Sequence, residues 1–266
     1  MRSAPGRERI APAEGLAADR WGAEPFPPEV VGKMRRTRRH PRPTQFDYLH
    51  VRRLVDDLAS ALSRLGARAE DVLDVYCGTR PYDDLLPPGA RVTGLDIPGN
   101  PYDLADVVTD EFLPFPDESF DLVMCIEGFH YVSDPEQAVA EFARVLRPGG
   151  HAVVAVPLVW EYDRTVLERR FTGPELAALF HQWQHVEVVE NGGRAISWAT
   201  LTGGLAQMVE FQAPRVVRPA FGAFYLALNG LGGLLDRIER RLARSSLTLP
   251  MNLLLTARRP ANESRP

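Results

Sequence analysis

The chain has 266 residues, of which 45% are hydrophobic and 25% charged, enough apolar material for one large folded domain with extensions. A net charge of −4 excludes a dedicated nucleic-acid binder, which would be strongly basic. No apolar run reaches the ~20 residues a membrane span requires, and the opening MRSAPGRERIAPAEG has no signal-peptide core, so a cytoplasmic protein is expected.

Residues 1–45 are rich in Pro, Arg and Ala and show no clear periodicity, which reads as a flexible or cap-forming arm. Within it, MRRTRRHPRP (34–43) packs five arginines into ten residues, a solvated run or a contact for an anionic substrate or surface. One domain is expected over 46–260. Phe46, Leu49, Leu54, Leu58 and Leu62 place an apolar stripe on a helix that Gly66 ends.

From there strands and helices alternate through a core at 70–190. DVLDVYC (71–77), RVTGLDI (91–97), FDLVMCI (120–126), HAVVAVPL (151–158) and HVEVVE (185–190) have strand character, and MNLLLTARR supplies the last strand at 250–259. Asp134 and Pro135 start a helix that RPGG stops at 147–150, and Thr172 starts another. Cys77 and Cys125 each close an apolar run and read as reduced core residues. Apolar strands separated by helices imply a doubly wound, Rossmann-like, mostly parallel sheet covered on both faces. The stretch 191–249 is a helical insertion before the last strand. Its uncharged part at 219–235 reads as a lid or homodimer-interface helix, with peripheral membrane contact as the weaker alternative.

In an open parallel sheet, ligands bind beyond the carboxyl ends of the strands, where strand order reverses. That rule singles out the turn at Tyr76–Gly78, the end of the second strand at Asp96, the segment Glu127–His130, and the region after Pro157. Asp96 lies about twenty residues past the first turn, where a carboxylate can accept from both ribose hydroxyls of an adenosine cofactor.

VLDVYCGTRPY, VTGLDI, DEFLPFPDESFDLVMCIEGFHYVSDP and EFARVLRPGG occur in order over residues 70–160. In this the chain resembles the class I S-adenosylmethionine-dependent methyltransferases of the small-molecule type related to quinone-biosynthesis methyltransferases. The resemblance implies a seven-stranded sheet, S-adenosylmethionine as cofactor and S-adenosylhomocysteine as product. It implies that Asp74 meets the methionine amino group, Gly78 admits the cofactor backbone-close, and Asp96 with Ile97 holds the ribose. Asp110, Glu111 and Phe112 fall at the adenine, while Ile126, Glu127 and Tyr131 fall at the methionine side. The family loop reads Asp-x-Gly-x-Gly-x-Gly. Here Tyr76 and Arg80 replace two of those glycines, with Arg80 within reach of the methionine carboxylate and Tyr76 crowding the methionine path.

Methyl transfer to a hydroxyl needs positioning and a base. His130 is the first candidate, with Glu161 and Asp163 after the fifth strand next. No metal site is expected, because His181 and His185 lack a third ligand. The function expected is methylation of a small-molecule acceptor, at oxygen, in a specialised metabolite or a cell-envelope saccharide or lipid precursor. The alternative, prompted by Tyr76 and Arg80, is a fold relative that transfers no methyl, either cyclase-like or a non-catalytic binding partner.

Overall fold

A computed structural model describes residues 24–65, 69–109, 112–161, 167–242 and 247–261. At its centre is a seven-stranded sheet: β1 (Asp71–Val75), β2 (Arg91–Asp96), β3 (Val107–Val108), β4 (Phe120–Ile126), β5 (Leu146–Pro157), β6 (Gln184–Asn191) and β7 (Asn252–Arg258). The strands lie in the order β3-β2-β1-β4-β5-β7-β6. All neighbours are parallel except β7, which runs antiparallel to both β5 and β6. The chain winds outward from β1 to β3, then crosses to β4 on the other side of β1. Strand order therefore reverses between β1 and β4, where a crevice opens.

Period-two alternation divides the central strands between two cores. Leu73, Val75, Val123 and Cys125 face one core with Phe142, Val145 and Leu176, which come from helices α3 (Pro135–Val145) and α4 (Gly173–Leu179). Val72, Leu122, Met124 and Val153 face the other, against Leu54, Leu58 and Leu62 of α2 (Tyr48–Leu65). Both cysteines are free and buried, as the ends of apolar runs should be. Asp134 caps α3 by accepting from the Gln137 N–H at 3.0 Å.

Two elements were missed in the sequence. β3 is only two residues long, too short to carry a pattern. The segment read as an aperiodic arm contains α1 (Pro28–Arg39), a helix opened by Pro28 and closed by arginines that complement its dipole. Only Val31 of α1 is buried, so no apolar stripe announced it. The arginines bind locally: Arg39 Nε donates to Asp84 at 2.7 Å and Arg35 meets Asp83 at 3.5 Å.

The insertion folds as a helical hairpin, α5 (Arg194–Gln212) and α6 (Arg218–Leu242), seated on the start of α2. Asn229 of α6 donates to the carbonyls of Pro43 and Gln45, at 2.9 and 2.7 Å, and so holds the link between α1 and α2. The chain from α1 to α2 is thereby fixed above the carboxyl edge of the sheet.

Candidate functional site

A cavity of about 830 Å³ lies beyond the carboxyl ends of β1, β2 and β4. Its floor contains Asp74, Tyr76, Gly78, Asp96, Ile97, Ile126, Glu127 and Tyr131, eight of the sequence-derived site residues. Its roof comes from α1 of the N-terminal arm and α5 of the insertion: Lys33, Thr37 and Arg38 of α1, and Gln207 and Phe211 of α5. Asn100 and Tyr102, after β2, complete one wall. The lone lysine and the aromatic residue of α5 are visible in the sequence, but nothing local places them over the sheet.

The turn after β1 holds three left-handed residues, Tyr76 at φ 57°, Gly78 at 51° and Arg80 at 48°. These are the three glycine positions of the family loop, so the backbone keeps the turn although two glycines are gone. A left-handed non-glycine residue costs about 1–2 kcal/mol, and its surroundings must hold it there. For Tyr76 the surroundings are Gly128: a Cβ at position 128 would come within 2.8 Å of the Tyr76 Cβ and 2.9 Å of Cδ2. The tyrosine packs over that gap and against the core while still bordering the cavity.

Arg80 does not reach the cavity, contrary to the sequence expectation. Its Nε donates to Asp83 at 3.1 Å, Nη1 to Asp106 at 2.7 Å and to the Leu104 carbonyl at 3.3 Å, and Nη2 to the Val92 carbonyl at 3.2 Å. All the reach of the guanidinium is spent clamping the turn to β2. With φ positive, the side chain leaves the backbone away from the cavity.

Three carboxylates face the cavity in different states. Asp96 Oδ2 accepts from the Gly78 N–H at 2.8 Å and Oδ1 from the Ile97 N–H at 2.9 Å. Burial raises its pKa, and those two donors oppose the rise. One residue thus fixes the glycine turn and presents its remaining lone pairs to the cavity. Asp74 is 5% exposed and has no hydrogen-bond donor among the described residues. Burial, reinforced by nearby Asp83, pushes its pKa up to about 8. An unpartnered carboxylate on a cavity wall suits a cationic group. Glu127, at φ 59°, accepts from Asn252 Nδ2 at 2.7 Å, and burial raises it to about 7 against the pull of Arg38 and Arg170.

The base expected at His130 is misplaced. It sits in a short 3₁₀ turn, 4% exposed, its ring 4.0 Å from that of Tyr131 and off the cavity wall. Burial, with Arg170 nearby, lowers its pKa to about 3, so it is neutral and weakly basic. Glu161 is exposed and does not line the cavity; only its carbonyl is engaged, by Arg170 Nη2 at 3.3 Å. Phe112 stacks on Phe142 at 6.1 Å and turns into the core instead of the cavity. Trp160 does border the cavity, stacked on Phe46 at 6.2 Å and His50 at 5.4 Å. Asp110, Glu111 and Asp163 lie outside the described residues.

The strand order with a reversed seventh strand, and an acidic residue closing β2 over a left-handed turn, define the class I methyltransferase fold. Residues 73–154 match the family described as methyltransferase domain. Over this core the chain is similar to methyltransferases of quinone biosynthesis, on a sheet of the class I methyltransferase type. It is 36% identical over 128 residues to a demethylmenaquinone methyltransferase of Tropheryma whipplei, covering 43% of this chain and 50% of that one. It is 31% identical over 188 residues to an uncharacterized 37.1 kDa protein in transposon Tn4556 of Streptomyces fradiae, covering 61% and 51%. The chain therefore spans about half the length of these curated relatives. Among solved structures, a candidate sarcosine dimethylglycine methyltransferase from Galdieria sulphuraria shares the fold, with a TM-score of 0.50 at 17% identity over 79% of this chain and 86% of that one.

Proposed function

We propose that the protein is an S-adenosylmethionine-dependent methyltransferase that methylates a small molecule at oxygen. The observation that carries the reading is the pair of acidic groups on the cavity floor: Asp96 at the end of β2, and Asp74, buried without a partner beside the left-handed turn. Bound there, the cofactor would supply a methyl group already activated on a sulfonium.

The chain's own residues divide the remaining work. Asp96 accepts from vicinal hydroxyls with the lone pairs its turn contacts leave free. Asp74 meets the ammonium of the methionine portion and ionises as it does so. Gly78 takes its left-handed φ of 51° without strain and anchors Asp96 through its N–H. Tyr76 and Ile126 give the methionine portion an apolar border. Glu127, with a pKa of about 7, is matched to taking the acceptor's proton near neutral pH, a role His130 is not placed to fill. Asn252 holds the Glu127 carboxylate in position through Oε1, leaving Oε2 for the acceptor. Arg38, Gln207 and Phe211 of the roof, with Trp160 beside them, border the space left for the acceptor.

The test is calorimetric titration with S-adenosylmethionine and S-adenosylhomocysteine, followed by acceptor screening for a mass gain of one methyl. Micromolar binding of both is expected. A chain that melts cooperatively yet binds neither would remove this reading and leave a non-catalytic partner.

A further inference from the structure

Helices α5 and α6 carry an outer surface that the fold itself does not use. On α5, Trp198, Leu201, Leu205, Met208 and Val209 are exposed and recur at helical spacing, forming one stripe. On α6, Phe224, Leu231, Leu234, Leu235, Ile238 and Leu242 form another. The inner faces are already occupied: Gly203 lies against Phe46, and Gly232 against Ala199 and Leu49. An apolar surface of this extent marks an interaction site.

Charge on the hairpin is sorted by direction. Its three carboxylates are turned inward and engaged: Glu210 accepts from Tyr225 Oη at 2.8 Å, Asp236 pairs with Arg240 at 2.9 Å, and Glu239 accepts from the Ala195 N–H at 3.0 Å. Arg215, Arg218, Arg237, Arg240 and Arg241 are all exposed. Among the described residues Arg215, Arg237 and Arg241 have no acidic partner. The outer face thus offers apolar side chains and uncompensated guanidinium groups, with no exposed carboxylate between Arg194 and Leu242.

We propose that this face docks on an anionic phospholipid bilayer. A second copy of the chain would bring cationic rims together, whereas an anionic bilayer supplies both a phase for the leucines and phosphates for the arginines. No described helix is long and apolar enough to cross a membrane, so α5 and α6 lie in the plane of the interface.

The experiment is sedimentation of the full chain with vesicles. Phosphatidylcholine vesicles containing about one-third phosphatidylglycerol are expected to pellet it, and pure phosphatidylcholine vesicles or high salt to release it. Partition should weaken roughly fivefold for each arginine removed in R237A and R241A, and more than tenfold in the double variant L205E/L234E. These positions are exposed, and an unchanged thermal midpoint verifies the fold. The proposal is overturned if the chain stays in the supernatant with anionic vesicles at low salt. It is also overturned if, without lipid, the chain is a dimer that L205E/L234E dissociates, which would make the face a self-contact. Cofactor titration of the same samples reports separately on the methyl-transfer reading.

Discussion

The floor and the roof of the cavity are built differently. The floor is the edge of a parallel sheet, where short hydrogen bonds fix most functional groups: Asp96 by two backbone N–H groups, Glu127 by the Asn252 side-chain amide, and the β1 turn by the Arg80 clamp. The roof is made of side chains from α1 and α5, held by a few long-range bonds such as those from Asn229. A rigid floor suits one invariant ligand, and a roof set by helix surfaces can change its occupant without disturbing the sheet.

Substitutions that separate the two regions test this division. The largest effect is expected at Glu127, where Glu127→Gln should lower turnover about a hundredfold or more while leaving cofactor affinity nearly unchanged. Stopped-assay kinetics beside calorimetry would show it, and equal loss in both would make Glu127 a binding group. Asp96→Ala should weaken cofactor binding by about 1–3 kcal/mol, since the floor loses both a ligand acceptor and the anchor of its turn. Gly128→Ala should destabilise the fold by about 1–3 kcal/mol, because the new Cβ collides with Tyr76. In denaturant titration, adding Tyr76→Gly to Gly128→Ala should cost less than the two changes summed.

Asp74 gives a graded effect with pH. Its pKa of about 8 in the fold stands above the ordinary 3.8, so the folded state keeps a proton that the unfolded state releases. Its contribution to stability is therefore lost as pH rises from about 4 to about 8. Asp74→Asn escapes that loss, and its stability advantage over the wild type should widen across the same window in thermal melts. A constant difference would mean Asp74 is ionised in the fold. The smallest effect belongs to the roof. Phe211 is 73% exposed, so Phe211→Ala should change stability by less than about 0.5 kcal/mol and leave cofactor affinity intact, altering only the acceptor's KM.

Legibility in the sequence followed the same division. Asp74, Gly78 and Asp96 sit in short apolar strands and their turns, where residue order alone sets position, and all three border the cavity. Arg80 sits in the β1 turn and His130 in the turn after β4, but the direction of their side chains depends on a positive φ and on a 3₁₀ turn. Neither leaves a trace in residue type. α1 was hidden because arginine satisfies its end and only one of its residues is buried. The roof combines residues more than 160 positions apart in the chain, Thr37 and Gln207 among them, which no local pattern can join.

The contact between Tyr76 and position 128 sets an order on how this chain could have arisen. A tyrosine entering the β1 turn while position 128 carried a side chain would have met a collision, so glycine at 128 eases the entry of the tyrosine. The reverse step is freer: Tyr76 can be replaced by a small residue alone, whereas any change at Gly128 meets the ring that fills its space. Lineages that share the tyrosine should therefore share the glycine, while the glycine alone predicts nothing about the tyrosine.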